Sequence, residues 1–243
     1  MSSAERRQVR AQGLRVVSHL ELHEGRSQIR VASASGDLAG SVVYDLEVPN
    51  FTAGELAMSG VALTTARDAR TVTLKGEAGE PGRKTTCAPP SCSPGVRGGV
   101  TVSRWSGDTT SSVLGMMQRE LVTPPTTRRT FAPGETLRLF VEVYDNNKRA
   151  ARDPAYQITV DASLRDAAGR LVRQVTDARS SQAASRTAGA HGFSLRLPLD
   201  QVPDGDYVVQ IESRAERDPA HVVTRRIPVR IDASNGPPAQ GTW

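Results

Sequence analysis

Apolar and polar residues alternate with period two along most of this chain, and helical spacing is nearly absent. That pattern predicts half-buried β-strands. The clearest runs are "LAMSGVALTT" (56–65), "TLRLFVEVYD" (136–145), "YQITVDASLRD" (156–166), "RLVRQVTDA" (170–178), "GFSLRLPL" (192–199), "DYVVQIESRA" (206–215) and "VVTRRIPVRI" (222–231). Short links join them: Ala167-Ala168-Gly169 suits a hairpin, and Pro203-Asp204-Gly205 offers a Pro-led turn with a Gly free to take positive φ. Seven such strands predict an all-β fold, an Ig-like or fibronectin-III-like β-sandwich over residues 51–231. Within 136–145, Leu137, Leu139, Val141 and Val143 are expected to face the core and Phe140 and Tyr144 the opposite side. Asp145-Asn146-Asn147 then reads as turn chemistry at a sheet corner.

Five stretches stand apart from this set of strands. Residues 66–108 are rich in Gly, Thr, Ser, Arg and Pro and poor in large apolar groups, which predicts a flexible insertion. Residues 109–121 form the single short helix expected, with Thr109, Thr110 and Ser111 available as N-caps and Val113, Met116, Met117 and Leu121 on one side. Residues 1–13 and 232–243 are polar and are expected to be disordered. Residues 14–50 echo the strand-turn-strand grammar of the C-terminal strands, so they read as the last three strands of a second, partial sandwich. Three strands expose an apolar face and open edges. This segment is therefore expected to complete a domain begun upstream in a longer chain, or to dock on a protein partner.

Aromatic residues make up only 4% of the chain, so its core must be built mainly from Val, Leu, Ile and Ala. No apolar run approaches a membrane-spanning length, and the start "MSSAERRQVRAQG" is polar and basic, unlike a signal peptide. On that ground alone a cytoplasmic location is open. The net charge of +5 comes from scattered Arg interleaved with acidic residues rather than from one basic face or arm. Nucleic acid is therefore not expected as a partner.

Few residues offer chemistry. Cys87 and Cys92 in "CAPPSC" can form a small disulfide in an oxidising compartment or remain free thiols, and they lack the further ligands of a zinc site. "HLELH" (19–23) puts His19, Glu21 and His23 on one side of a strand, which reads as a solvent-facing stripe rather than a metal row. There is no G-x-S-x-G elbow, Walker loop or dinucleotide fingerprint. "DASNG" (232–236) is superficially similar to a metal-adhesion motif but lacks its second Ser. No catalytic set can be nominated, so an enzyme is not expected, nor any cofactor or metal.

The pieces "GSVVYDLEVPNF" (40–51), "LAMSGVALT" (56–64), "PPTTRRTFAPGETLRLFVEVYDN" (124–146) and "VPDGDYVVQIESR" (202–214) together resemble the C-terminal Ig-like region of bacterial, Acidobacteria-type von Willebrand factor A-related domain proteins. The Pro-Pro-Thr-Thr-Arg-Arg block is the most specific of them. The family's metal-dependent adhesion site lies in an A domain of which this chain contains no part. The resemblance implies a non-catalytic structural or interaction module of an exported or cell-envelope protein, belonging to a longer A-domain-containing chain. The alternative is a carbohydrate- or peptide-binding accessory domain of an exported enzyme, for which Trp105, Phe140 and Tyr144 are the available exposed aromatics.

Overall fold

The computed structural model describes residues 3–17, 22–35, 38–75, 123–146, 154–183 and 190–235. In chain order these form α1 (Ser3–Gln12), β1 (Leu14–Val17), β2 (Gly25–Ser35), β3 (Leu38–Val48), β4 (Leu56–Met58), β5 (Ala62–Thr64), β6 (Val72–Lys75), β7 (Thr130–Phe131), β8 (Thr136–Asp145), β9 (Gln157–Asp166), β10 (Leu171–Ser180), β11 (Ala190–Pro198), β12 (Gly205–Ala215) and β13 (Asp218–Ile231). The chain divides into two units, Met1–Asn50 with Val72–Arg104, and Phe51–Thr71 with Trp105–Trp243.

The second unit is a two-layer, mainly antiparallel sandwich. One sheet runs β10-β9-β12-β13-β7; the other runs β11-β8-β4, with β5 also paired to β8. The chain alternates layers from β8 to β9, back from β10 to β11 and across again to β12, the Greek-key crossing of an Ig-like fold. Leu137, Leu139, Val141 and Val143 of β8 meet Ile158, Val160, Ala162 and Leu164 of β9 in one core, with Phe193, Leu197, Val209 and Ile211. All are fully buried. Each such Val, Leu, Ile or Phe side chain contributes roughly 1.5–3 kcal/mol of hydrophobic stabilisation, so alternation alone is enough to place the strands.

Turn chemistry fixes their register. At Pro133-Gly134 the glycine has φ 84°. Its N–H donates to Leu199 O at 3.2 Å, and Glu135 N–H closes the turn onto Ala132 O at 3.2 Å. In the hairpin through Ala167-Ala168-Gly169, the Asp166 carboxylate accepts from the backbone N–H groups of Ala168 and Arg170, each at 2.9 Å. Those bonds, the Arg170 one foremost, hold the Asp166 carboxyl below its ordinary range. At the start of β12 the Tyr207 hydroxyl donates to Pro203 O at 2.9 Å, a tyrosine corner at the sandwich edge.

Two strand readings change in detail. The run 56–65 is broken: β4 pairs with Met58 opposite Val143, β5 with Ala62 opposite Phe140, and Ser59-Gly60-Val61 steps out between them. The step is held by Ser59 N–H donating to Glu142 O at 2.9 Å and Glu142 N–H donating to the Ser59 hydroxyl at 3.0 Å. The two-residue β7 joins β13 in parallel, with Phe131 opposite Ile231. It is too short for an alternation signal.

In the first unit, residues 1–13 were expected to be disordered, yet Ser3–Gln12 is a helix. Glu5 in its first turn and Arg10 in its last complement the helix dipole. Gly13, at φ 79°, ends it with its N–H on Val9 O at 2.8 Å. The helix lacks a broad apolar stripe, which is why periodicity passes over it. Residues 14–50 do not form one three-strand layer either. β2 and β3 make a two-stranded antiparallel hairpin, whereas β1 pairs in parallel with β6, Leu14 opposite Val72. β6 itself, and a 3-10 turn at Ala66–Arg70, occupy the first residues of the stretch read as a flexible insertion. The remainder of that insertion, the helix expected at 109–121, and His19 and Glu21 lie outside the described residues. The tail begins with a 3-10 turn at Ala233–Asn235, and residues 236–243 are likewise outside. Among the described residues no helix is long and apolar enough to cross a membrane.

Candidate functional site

Cys87, Cys92 and Trp105 lie outside the described residues. The other two nominated aromatics are not open binding groups. Phe140 is only 3% exposed, because β8 is buried on both faces from Leu139 to Val143. Alternation marks the face turned from the core but does not reveal that this face is covered too. Tyr144 is half-buried and stacked on Phe51, with ring centroids 5.1 Å apart. Its hydroxyl donates to Glu142 Oε2 at 2.8 Å. Glu142 is itself buried, and that burial raises its pKa against the lowering effect of the Tyr144 bond. Burial, followed by the neighbouring carboxylate, also raises the Tyr144 pKa.

The polar end of the same strand is consumed by structure. Asp145 accepts from the Tyr156 hydroxyl. Asn146 Nδ2 donates to Phe51 O at 2.7 Å, and its backbone N–H donates to Glu55 O at 3.0 Å. This corner is scaffold. His23 is exposed and sits in the link before β2 rather than on a strand.

The Pro-Pro-Thr-Thr-Arg-Arg block is where charge gathers. Thr126 N–H donates to Leu63 O at 2.7 Å and pins the block beside β5. The Arg128 guanidinium then forks onto Glu135, at 3.3 Å to Oε1 and 2.9 Å to Oε2. It also donates to the Thr65 hydroxyl at 3.0 Å and lies 3.6 Å from Asp68 Oδ1. Its flat side covers Phe131, 4.8 Å from the ring centre. Asp68 is held in turn by the Thr65 backbone N–H and hydroxyl, at 2.9 and 3.0 Å. A paired, largely buried carboxylate set of this kind fixes geometry.

Beside this hub opens a cleft of about 420 Å³. Thr65, Ala66, Arg67, Gly134, Glu135 and Thr136 form part of its wall, with Arg138 and Arg196 completing it. Arg138 and Arg196 are direct cross-strand partners on β8 and β11, and Thr64 faces Arg138 from β5. No sequence motif unites these arginines. They come from a 3-10 turn and two strands more than fifty residues apart, and only strand register brings them together.

A second polar surface covers the outer face of the five-stranded sheet. Asp161 is salt-bridged to Arg214 at 2.7 Å and accepts from the Thr176 hydroxyl. Gln210 links Glu212 and Arg226 at 2.7 and 3.0 Å. These groups satisfy one another. Among the described residues no three His, Cys, Asp or Glu side chains gather to hold a metal.

No protein-family model matches the chain, and a search of curated proteins found no match.

Proposed function

We propose that this chain is a non-catalytic Ig-like structural and interaction module that binds a protein partner through the β2–β3 hairpin. The observation that carries the reading is the hairpin's uncovered apolar face. Register puts Ile29 opposite Tyr44, Val31 opposite Val42 and Ser27 opposite Leu46. One face therefore collects Ile29, Val31, Val42, Tyr44, Leu46 and Val48. Val31, Val42 and Tyr44 are 64%, 69% and 63% exposed. The reverse face is mainly polar, with Arg26 opposite Glu47, Gln28 bonded to Asp45 at 2.8 Å, and Arg30 opposite the exposed Val43. An isolated two-stranded ribbon is marginal in water, and a continuous apolar stripe on one side of it is the signature of a surface that is covered in use.

Both outer edges of the ribbon are unpaired among the described residues, so the occupant that fits best is further β-structure. It would add a strand to the edge and close over the apolar side. Such an occupant belongs either to a separate protein or to another portion of a longer chain. Placement of this module in an exported or cell-envelope bacterial protein is supported by the family resemblance described above.

The test is photo-crosslinking in the native host. A benzoylphenylalanine at Tyr44 is expected to form one discrete protein adduct, absent from the same probe at exposed Gln174. Val31→Lys with Val42→Lys should abolish that adduct. Equal labelling at both positions, or an adduct indifferent to the two lysines, contradicts the reading.

A further inference from the structure

We infer that the cleft beside the Arg128 hub binds a doubly charged tetrahedral oxyanion, the phosphate monoester group of a small ligand. The inference concerns the sandwich unit alone, so its failure leaves the hairpin reading untouched.

Like charges directly opposite on neighbouring strands repel one another, and a fold places them so only against a cost. Arg138 and Arg196 occupy such a pair. Neither has a hydrogen-bond or ion-pair partner among the described residues. The two carboxylates of the hub are already engaged, and the other acidic group beside the cleft is the exposed Asp200, next to Gly134. Glu135 is forked by Arg128 and also approached by Arg67 at 3.8 Å, and Asp68 is taken by Thr65 and Arg128. Arg67 is oriented from the other wall by a bond to the Asn235 carbonyl.

The lining thus holds three guanidinium groups against one carboxylate, and that carboxylate is spent on structure. Guanidinium groups recognise phosphate and sulfate through paired, parallel N–H donors, and two of them side by side suit a dianion better than a monoanion. The volume lies within the range of small-ligand sites and exceeds what a bare ion needs. An ester of a small molecule is therefore the expected occupant.

The experiment is a low-salt NMR titration of the whole chain, following arginine Nε–H signals. Inorganic phosphate, inorganic sulfate, a hexose phosphate and acetate are the probes, with chloride at matched ionic strength as control. Phosphate and sulfate are expected to shift the Arg138 and Arg196 signals saturably. Acetate should bind about tenfold more weakly, and the hexose phosphate at least as tightly as inorganic phosphate. Arg138→Gln and Arg196→Gln should each weaken phosphate binding about tenfold, equivalent to ~1.4 kcal/mol, and the double variant should abolish it.

Thermal melts supply the control for folding. The double variant should melt no lower than the parent, because it loses a repulsive pair. Phosphate should raise the parent's melting temperature and not the variant's beyond the chloride control. Absence of saturation, an equal phosphate response in the double variant, or inorganic ions binding while the hexose phosphate does not (an adventitious ion only) would overturn the inference.

Discussion

Replacing Arg225 by Met is expected to loosen the sandwich at the point where its two layers are tied together. Arg225 sits on β13, and its guanidinium reaches across to the step between β4 and β5. Nε donates to Ser59 O at 3.2 Å, Nη2 to Met58 O at 2.5 Å and Nη1 to Thr224 O at 3.2 Å. The broken run 56–65 leaves Met58 and Ser59 carbonyls turned away from a regular ladder, and Arg225 is what satisfies them. Met keeps most of the aliphatic stem, so the substitution isolates the polar head. Hydrogen bonds from a charged donor contribute about 1.5–3 kcal/mol each, and a part-buried position falls at the lower end. Two cross-layer bonds therefore predict a loss of about 3 kcal/mol. For a unit of this size that lowers the melting temperature by about 6–12 °C. Thermal unfolding followed by circular dichroism measures it directly, with a urea titration to check that the m-value is unchanged. A melting temperature within about 2 °C of the parent would refute the assignment of Arg225 as an interlayer tie.

Other outcomes follow from the same geometry. Val141→Asp buries an unpaired carboxylate in the centre of the core, and the cost of several kcal/mol should leave no cooperative melt; a native-like melt would refute the facing of β8. Tyr207→Phe removes only the corner bond to Pro203 O and should cost about 0.5–1.5 kcal/mol in urea unfolding, with no change reading against the corner. Glu142 has a folded pKa raised above its ordinary 4.5, so its contribution to stability is fullest below that value and is lost as pH rises through the raised one. Glu142→Gln should therefore match the parent near pH 4 and become the more stable protein as pH increases. A stability difference constant from pH 4 to 8 would contradict this.

The sandwich was legible because its strands obey a single rule. In β8, β9 and β12 the core residues fall at every second position, and the predicted run 136–145 coincides with β8. The step at Ser59-Gly60-Val61 was not legible, since it depends on bonds to Glu142, which lies far along the chain. Helix α1 escaped for the opposite reason: its determinants are a polar first turn and Gly13, not an apolar stripe. That Phe140 and Tyr144 share the face turned from the core followed from alternation, whereas how far that face is covered is a tertiary property: Phe140 is buried and Tyr144 half-buried. The arginine cleft could not be read at all, because Arg67, Arg138 and Arg196 meet only through register. Residues 14–50 read as the last three strands of a partial sandwich; that β1 would pair with β6 rather than with the β2–β3 hairpin was not encoded in any local pattern.

The central claim, a stable sandwich carrying a hairpin that awaits its partner, is tested most directly by amide hydrogen exchange on the isolated chain. Protection spans a range from mobile elements near zero up to the global stability of the core. The account predicts slow exchange in β8, β9 and β12, and exchange faster by at least about a hundredfold across 25–48. Equal protection of the hairpin and the sandwich strands would contradict it.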